Sequence, residues 1–119
     1  MNTTKKINIA NNYTSNPGPR FKKLGEFSGE DFRNKSLQKY FLDDKISKIE
    51  IFLDGLRGYP SSFFEEAFGG LIRKIYFTEK QNKAELIKKA LNKFEFISNN
   101  SVRIDEMKYY IKNSLDKID

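Results

Sequence analysis

Residues 49–73, IEIFLDGLRGYPSSFFEEAFGGLIR, constrain the fold more than any other segment, because a strand-like run, a turn and a helical pattern follow one another without a gap. Apolar side chains occupy both faces of the first part: Ile49, Ile51 and Leu53 on one face and Phe52 on the other. A short run of this kind is typical of a strand that is covered on both sides. The segment therefore predicts a sheet covered by helices, with this strand inside it.

The second part of the same segment has the pattern of a capped amphipathic helix. Three turn-forming residues end the strand: Gly55, Gly58 and Pro60. Ser61 and Ser62 come next, and Ser62 stands three residues before Glu65, which is the spacing of a capping box. Apolar residues then recur at helical steps: Phe64, Ala67, Phe68, Leu71 and Ile72. We expect this face of the helix to pack on the sheet.

The chain before this segment predicts a strand, a loop and a helix. Residues 5–13 read as a short strand in which Ile7 and Ile9 share a face. Residues 14–25 contain a cluster of serine, asparagine, proline and glycine, which is typical of a loop. Ser28 can then cap a helix over 29–41, where acidic residues at the start suit the positive end of the helix dipole.

The chain after this segment adds further helices and a strand. Residues 73–80 either extend the long helix or form a brief extended piece at 75–78. Residues 82–93 have helical spacing, residues 94–98 alternate like a strand, and a last amphipathic helix runs from the turn at 99–101 to the chain end. The alternation predicts an α/β fold with a small mixed sheet covered by helices.

Composition excludes much catalytic chemistry. The chain has 119 residues, a formal net charge of +6, no cysteine and no histidine. Disulfides, cysteine nucleophiles and the commonest general base are therefore ruled out. Several lysines alternate with glutamates, which predicts a solvated helix face and not a phosphate-binding stripe. These lysines are Lys80, Lys83, Lys88, Lys89 and Lys93.

The distribution of apolar residues predicts a soluble protein. No apolar run is long enough to cross a bilayer, and the first residues lack the pattern of a signal peptide. We therefore expect a cytoplasmic protein without membrane contact, folded as a single domain over residues 1–119.

Two separated segments resemble a known family. SGEDFR at 28–33 and SSFFEEAFGGLIR at 61–73 are similar to segments of the bacterial STAS-like domain family. More distantly, the strand, turn and serine-led helix resemble the STAS domains of anti-anti-sigma factors. Ser61 and Ser62 match the two serines of their motif, and Ser62 corresponds to the serine that a partner kinase phosphorylates.

The resemblance implies a non-enzymatic regulatory module that switches between protein partners. One implied partner is a histidine-kinase-like ATPase, and one implied control is phosphorylation of Ser62 or Ser61. A phosphate carries about −1.5 to −2 charges, which the start of a helix tolerates. It would repel a docked acidic partner without unfolding the domain. The simpler alternative is that both serines only cap the helix.

The same stretch supplies a predicted partner-binding surface. Its residues are Arg57, Gly58, Tyr59, Phe63, Glu65, Glu66, Gly69, Gly70 and Arg73. Paired glycines inside a helix indicate close backbone approach, either to the sheet beneath or to a partner. Four of the five arginines lie in or beside the two motif segments, and Arg57 stands in the turn. They either pair with Asp31, Asp54, Glu65 or Glu66, or bind a phosphate from a partner.

Two other functional classes stay open. The basic charge allows a nucleic-acid-associated or phage-defence accessory protein, which would bind DNA or RNA with steep salt dependence. An enzyme would need ATP or Mg²⁺ at Asp54, Glu65 and Glu66. The sequence offers no nucleophile and base pair, so it predicts no catalytic residue, no metal and no cofactor.

Overall fold

A parallel three-stranded sheet forms the centre of the protein, seen in a computed structural model that describes residues 3–116. The strands are β1 (Thr3–Asn8), β2 (Ile46–Phe52) and β3 (Phe94–Ile97), in the order β1-β2-β3. The predicted α/β class is confirmed. The predicted mixed sheet is wrong, because both pairs of strands are parallel. Each pair is joined by a long connection that contains helices, as parallel neighbours require.

Helices and one short turn connect the strands. The first helix is α1 (Ile9–Asn12), and a 3₁₀ turn follows at Lys22–Leu24. Helix α2 covers 29–41 and consists of Gly29–Phe32, a π-helical segment at Arg33–Leu37, and Gln38–Phe41. Helix α3 covers 61–79 and consists of Ser61–Phe64, a π-helical segment at Glu65–Gly69, and Gly70–Glu79. Helices α4 (Lys83–Lys93) and α5 (Ser101–Lys112) complete the set.

The central strand is the predicted one. Ile49 and Ile51 are fully buried, and Ile51 lies opposite Ile7 of β1 and Phe96 of β3. The strand begins three residues earlier than predicted, at Ile46, and ends before Leu53. It has a neighbouring strand on each edge, and its two faces differ in burial, because Ile49 and Ile51 are fully buried and Phe52 is half-buried.

The first predicted strand is shorter than expected. It stops at Asn8, whose side-chain oxygen accepts a hydrogen bond from the Asn11 amide and so starts α1. Ile7 and Ile9 are both buried, although Ile9 is helical. The alternation of these isoleucines predicted the buried side chains correctly but continued the strand too far, because an asparagine N-cap ends it.

Most helix boundaries follow the predicted signals. Ser28 caps α2 by accepting a hydrogen bond from the Asp31 amide at 3.0 Å, as predicted. Residues 73–79 continue α3, so the extended alternative at 75–78 is wrong. Asn82 caps α4. The last helix ends at Lys112, earlier than predicted, and residues 117–119 lie outside the described residues.

Lys93 does not lie on the solvated helix face that was predicted for it. Its side chain is buried, and its Nζ donates to the carbonyl oxygens of Phe41 at 2.7 Å and Asp43 at 3.0 Å. Burial and then the neighbouring Lys89 lower the pKa of Lys93. The lysine thereby satisfies carbonyl groups at the end of α2, where a cation also suits the helix dipole.

Helices α2 and α3 touch through their backbones. A Cβ atom on Gly29 would collide with the carbonyl group of Phe63, so only glycine fits there. Next to this contact, the rings of Phe32 and Phe63 stack with their centroids 5.8 Å apart. Phe68 of α3 in turn packs edge-on against Phe96 of the sheet at 5.0 Å. The two segments that resemble the STAS-like family therefore contact each other.

We expect Gly29→Ala to lower the free energy of unfolding by about 1–3 kcal/mol, because rigid backbone faces the added methyl group. Gly58→Ala is the matched control, since nothing lies within 4 Å of a Cβ atom there. It should change stability by less than about 0.5 kcal/mol. Urea unfolding followed by circular dichroism measures both changes. Equal stability of the two variants would contradict the close contact.

Candidate functional site

The predicted junction between strand and helix exists, and hydrogen bonds hold the loop between β2 and α3. The Leu53 amide donates to the Ile97 carbonyl at 2.9 Å, and the Tyr59 hydroxyl donates to the Leu53 carbonyl at 3.0 Å. The Arg57 amide donates to the Ser15 carbonyl at 2.8 Å. Gly55 adopts a φ of +87°, a conformation that favours glycine. The loop is thus tied to the sheet and to the loop after α1.

The two serines do not cap α3, so the predicted capping box is wrong. Pro60 is the N-cap residue, and Ser61 and Ser62 are the first two helical residues. No side chain caps this helix, and Glu65 points to arginines instead. Both serines are exposed, and neither hydroxyl forms a hydrogen bond with residues 3–116. Their hydroxyl groups therefore face solvent at the start of α3.

Burial divides the predicted partner-binding surface. Arg57 is exposed, and a second group is partly exposed: Gly58, Tyr59, Glu65 and Arg73. A third group is buried and cannot contact a partner directly: Phe63, Glu66, Gly69 and Gly70. Because these four lie against other parts of the domain, they do not belong to the predicted partner-binding surface. Only the exposed and partly exposed residues could contribute to it.

The two glutamates lie in an ionic network with three arginines, and Glu65 is its outer member. Arg73 binds Glu65 with both terminal nitrogens, at 2.7 Å and 2.8 Å. Nη1 of Arg20 also donates to Glu65. Arg73 donates further to the Ser114 carbonyl at 3.3 Å, just beyond α5. Glu65 therefore connects the loop before α2 with α3.

Glu66 is the inner member of the network. Only 6% of the residue is exposed, and its carboxylate pairs with Arg33 of α2. Arg20 and Arg73 lie 3.4 Å and 3.5 Å from the same carboxylate. A buried charge needs such partners, since an unpaired one costs several kcal/mol. The predicted pairing with Glu65 or Glu66 is thus confirmed for Arg20, Arg33 and Arg73 but not for Arg57, which forms no ion pair within residues 3–116.

The paired glycines make room for this network. A Cβ atom on Gly69 would collide with the Glu65 carboxylate and lie 3.1 Å from the Tyr110 carbonyl of α5. A Cβ atom on Gly70 would collide with Glu66 and lie 3.1 Å from Nη1 of Arg33. Each glycine stands four residues after a glutamate, on the same side of the helix. The predicted close approach is therefore to the network and α5, and not to the sheet.

The network changes the acidity of its outer carboxylate. Burial acts to raise the pKa of Glu65, but hydrogen bonds from Arg73 and Arg20 outweigh it and hold that pKa below 4.5. The hydrogen bonds that Arg73 donates to Glu65, against the effect of burial, raise the pKa of Arg73. Glu65 is consequently ionised whenever the protein is near neutral pH.

The other candidate residues lie apart from the network. Asp54 accepts hydrogen bonds from the Ser98 hydroxyl at 2.7 Å and the Asn99 amide at 2.8 Å. Within residues 3–116 no group of acidic residues is arranged to hold a metal ion. The guanidinium of Arg103 lies 4.1 Å from the ring centroid of Tyr59. No pattern in the sequence indicates that contact.

Comparison with known proteins identifies the fold family. A family model described as a STAS-like domain of unknown function (DUF4325) matches residues 28–101, more than half of the 119-residue chain. The chain belongs to this family. Arg33, Glu65, Glu66 and Arg73 of the STAS-like domain lie inside the matched range, while Arg20 lies outside it. No curated protein and no solved structure matches significantly.

Tyr13 makes a contact that the sequence analysis did not predict. The Tyr13 hydroxyl donates to Asp31 at 2.6 Å; burial and this hydrogen bond raise the pKa of Tyr13. The contact ties the end of α1 to the first turn of α2.

In the described part of the STAS-like domain, no helix has the length and apolar character needed to span a membrane.

We expect Arg33→Met to lower the free energy of unfolding by about 3 kcal/mol, because it leaves the buried Glu66 without its nearest cation. Lys35→Met is the matched control on the same helix. Lys35 pairs with Asp31 at 3.4 Å, but its side chain is 70% exposed, so its loss should cost less than about 1 kcal/mol. Urea unfolding at neutral pH compares the two. Similar losses would show that Glu66 does not depend on Arg33.

Glu65 should make stability depend on pH. Because its pKa is lower in the folded protein, its contribution is present above the ordinary value of 4.5 and is lost as pH falls through the folded pKa. Glu65→Gln should therefore flatten the decrease in stability below that value. Glu79→Gln, at an exposed glutamate without an ion pair in residues 3–116, should leave the decrease unchanged. Unfolding curves collected across acidic pH test this.

Proposed function

We propose that this STAS-like domain is a non-enzymatic regulatory module that binds another protein through the start of α3 and the loop before it. One observation carries the proposal: the hydroxyls of Ser61 and Ser62 are exposed at a helix start and make no hydrogen bond with residues 3–116. A serine without a capping role can be modified without loss of an internal contact. Ser62 is the modified residue in this proposal.

The exposed part of the junction forms the proposed docking surface, with Arg57 at its centre. Arg57 is exposed and forms no ion pair with residues 3–116, unlike the three network arginines. Gly58 and Tyr59 follow it on the same loop, and Arg103 lies over the Tyr59 ring. An unpaired arginine beside a half-buried aromatic residue suits a partner with an acidic group and an apolar group.

The electrostatics of the junction explain how phosphorylation would act. Glu65, one helical turn after Ser62, is paired with arginines and adds no uncompensated negative charge. Phosphate on Ser62 would therefore be the dominant new charge, about −1.5 to −2. It would repel an acidic partner held by Arg57, while the helix start tolerates it. The partner would be released from a folded domain.

The proposed partner is a histidine-kinase-like ATPase, which follows from the resemblance to anti-anti-sigma STAS domains. Such a protein would both bind the domain and phosphorylate Ser62. The lack of histidine and cysteine in the chain supports a binding role over an enzymatic one. The two acidic residues that could have held Mg²⁺ with Asp54 are occupied by arginines.

We expect Ser62→Ala to bind the partner as tightly as the unmodified protein and Ser62→Asp to bind it at least ten-fold more weakly. Affinity capture from the native cell supplies the partner, and titration of the purified proteins measures the change. Ser101→Asp is the control, because Ser101 is an exposed serine at the start of α5. Mass measurement of the native chain locates any phosphate.

Stability separates this proposal from a capping role. Since Ser62 makes no cap, Ser62→Ala should change the free energy of unfolding by less than about 0.5 kcal/mol, whereas loss of an N-cap costs about 1 kcal/mol. Equal partner binding by Ser62→Ala and Ser62→Asp would refute the switch. Capture of nucleic acid with steep salt dependence would favour the alternative function instead.

A further inference from the structure

A cleft of about 600 Å³ lies beside the outer face of the ionic network, and neither Ser61 nor Ser62 lines it. Arg20 and Phe21 from the loop before α2 line it, together with Glu65 and Arg73 of α3 and Tyr109 and Tyr110 of α5. A cleft of this volume fits a small organic molecule or the end of a peptide. Neither the family description nor the proposed function assigns it a role.

Arg20 brings unused hydrogen-bond donors to the cleft. Only its Nη1 atom contacts the glutamates, Glu65 and Glu66. Its Nε and Nη2 atoms donate to no residue of 3–116, and 31% of its side chain is exposed. A guanidinium has five N–H donors in a planar fork. The free edge, formed by Nε and Nη2, matches the two oxygens of a carboxylate.

Exposed aromatic residues stand next to these donors. Phe21 is 37% exposed and Tyr109 is 62% exposed, and both line the cleft. Both are large side chains whose apolar surface stays in contact with water. An apolar body of a ligand could cover them while an acidic group reaches Arg20.

Charge disfavours an acidic group that carries two negative charges. The network contains three arginines and two glutamates, so its formal charge is +1. Asp116 also lines the cleft and forms no ion pair within residues 3–116, which brings the sum to zero. A dianion such as phosphate would therefore meet more repulsion than a monoanion.

We infer that this cleft binds a monoanionic carboxylate attached to an aromatic or other apolar group, with Arg20 as the residue that recognises the carboxylate. The carboxylate comes either from a free organic acid or from the C-terminus of a protein chain. Both sources present the same chemistry to Nε and Nη2 of Arg20. The inference does not depend on Ser62 or on the proposed partner.

The test uses small probes and nuclear magnetic resonance of the full chain. 3-Phenylpropionate should shift the signals of Tyr109, Tyr110 and the Arg20 side chain, with a dissociation constant on the order of millimolar. Its neutral amide, 3-phenylpropanamide, should bind at least ten-fold more weakly because the charged hydrogen bonds are lost. Phenyl phosphate should also bind more weakly than the carboxylate.

Variants assign the binding to Arg20. Arg20→Lys keeps the positive charge but removes the planar fork, so binding of 3-phenylpropionate should weaken at least five-fold. Phe21→Ser, outside the ionic network, should weaken it through loss of apolar contact. Lys88→Gln, at an exposed lysine of α4 outside the cleft, is the control and should bind normally. Thermal unfolding of each variant confirms that it is folded. If Arg20→Lys does not fold, Phe21→Ser still tests the inference.

Further outcomes overturn the inference or identify the source. Equal binding of the acid and the amide, signal shifts confined to other surfaces, or no shifts at all would each overturn it. An acetylated tripeptide ending in phenylalanine tests the second source. If it binds at least ten-fold more tightly than 3-phenylpropionate, and its amidated form does not, the cleft binds a protein C-terminus. If the tripeptide and 3-phenylpropionate bind equally, the cleft binds a free organic acid.

Discussion

The buried pairing of Glu66 with Arg33 is the constraint on which the packing of the two long helices depends. Arg33 belongs to α2 and Glu66 to α3, so the pair fixes how these helices meet. Arg20 and Arg73 surround the same carboxylate and extend the network to the loop before α2 and to the end of α5. A charge buried this deeply is tolerated only where several donors converge, so the network holds four parts of the chain in one arrangement.

The backbone around the network is built to admit it. Both long helices contain a π-helical segment where they meet: Arg33 begins one and Glu66 lies in the other. Such segments are rare in helices and are often found at functional sites. Gly69 and Gly70 then leave the space that the two carboxylates fill. Helix regularity is given up at the positions where the charged side chains need room.

Local signals in the sequence predicted much of this fold, and long-range contacts account for most of what they missed. The apolar strand around Ile51 and the cap at Ser28 depend on near neighbours, and both were predicted correctly. Strand direction and the burial of Lys93 depend on residues far away in the chain, and both were predicted wrongly. The network itself had a usable signal, because each of two adjacent glutamates precedes a glycine by four residues.

Burial also decides which part of the family resemblance bears on function. The shared segment from 61 to 73 is largely interior: Phe63, Glu66 and both of its glycines support the packing of α2, α3 and α5. Sequence similarity at such buried positions indicates a shared fold, whereas function has to be argued from residues at the surface. Two surfaces remain, the serine junction beside Arg57 and the cleft beside Arg20. Glu65 lies between them, since it follows Ser62 by one helical turn and its carboxylate contacts Arg20. A ligand on the Nε and Nη2 atoms of Arg20 would share that guanidinium with Glu65, which accepts a hydrogen bond from Nη1, so a direct contact links the cleft to the start of α3.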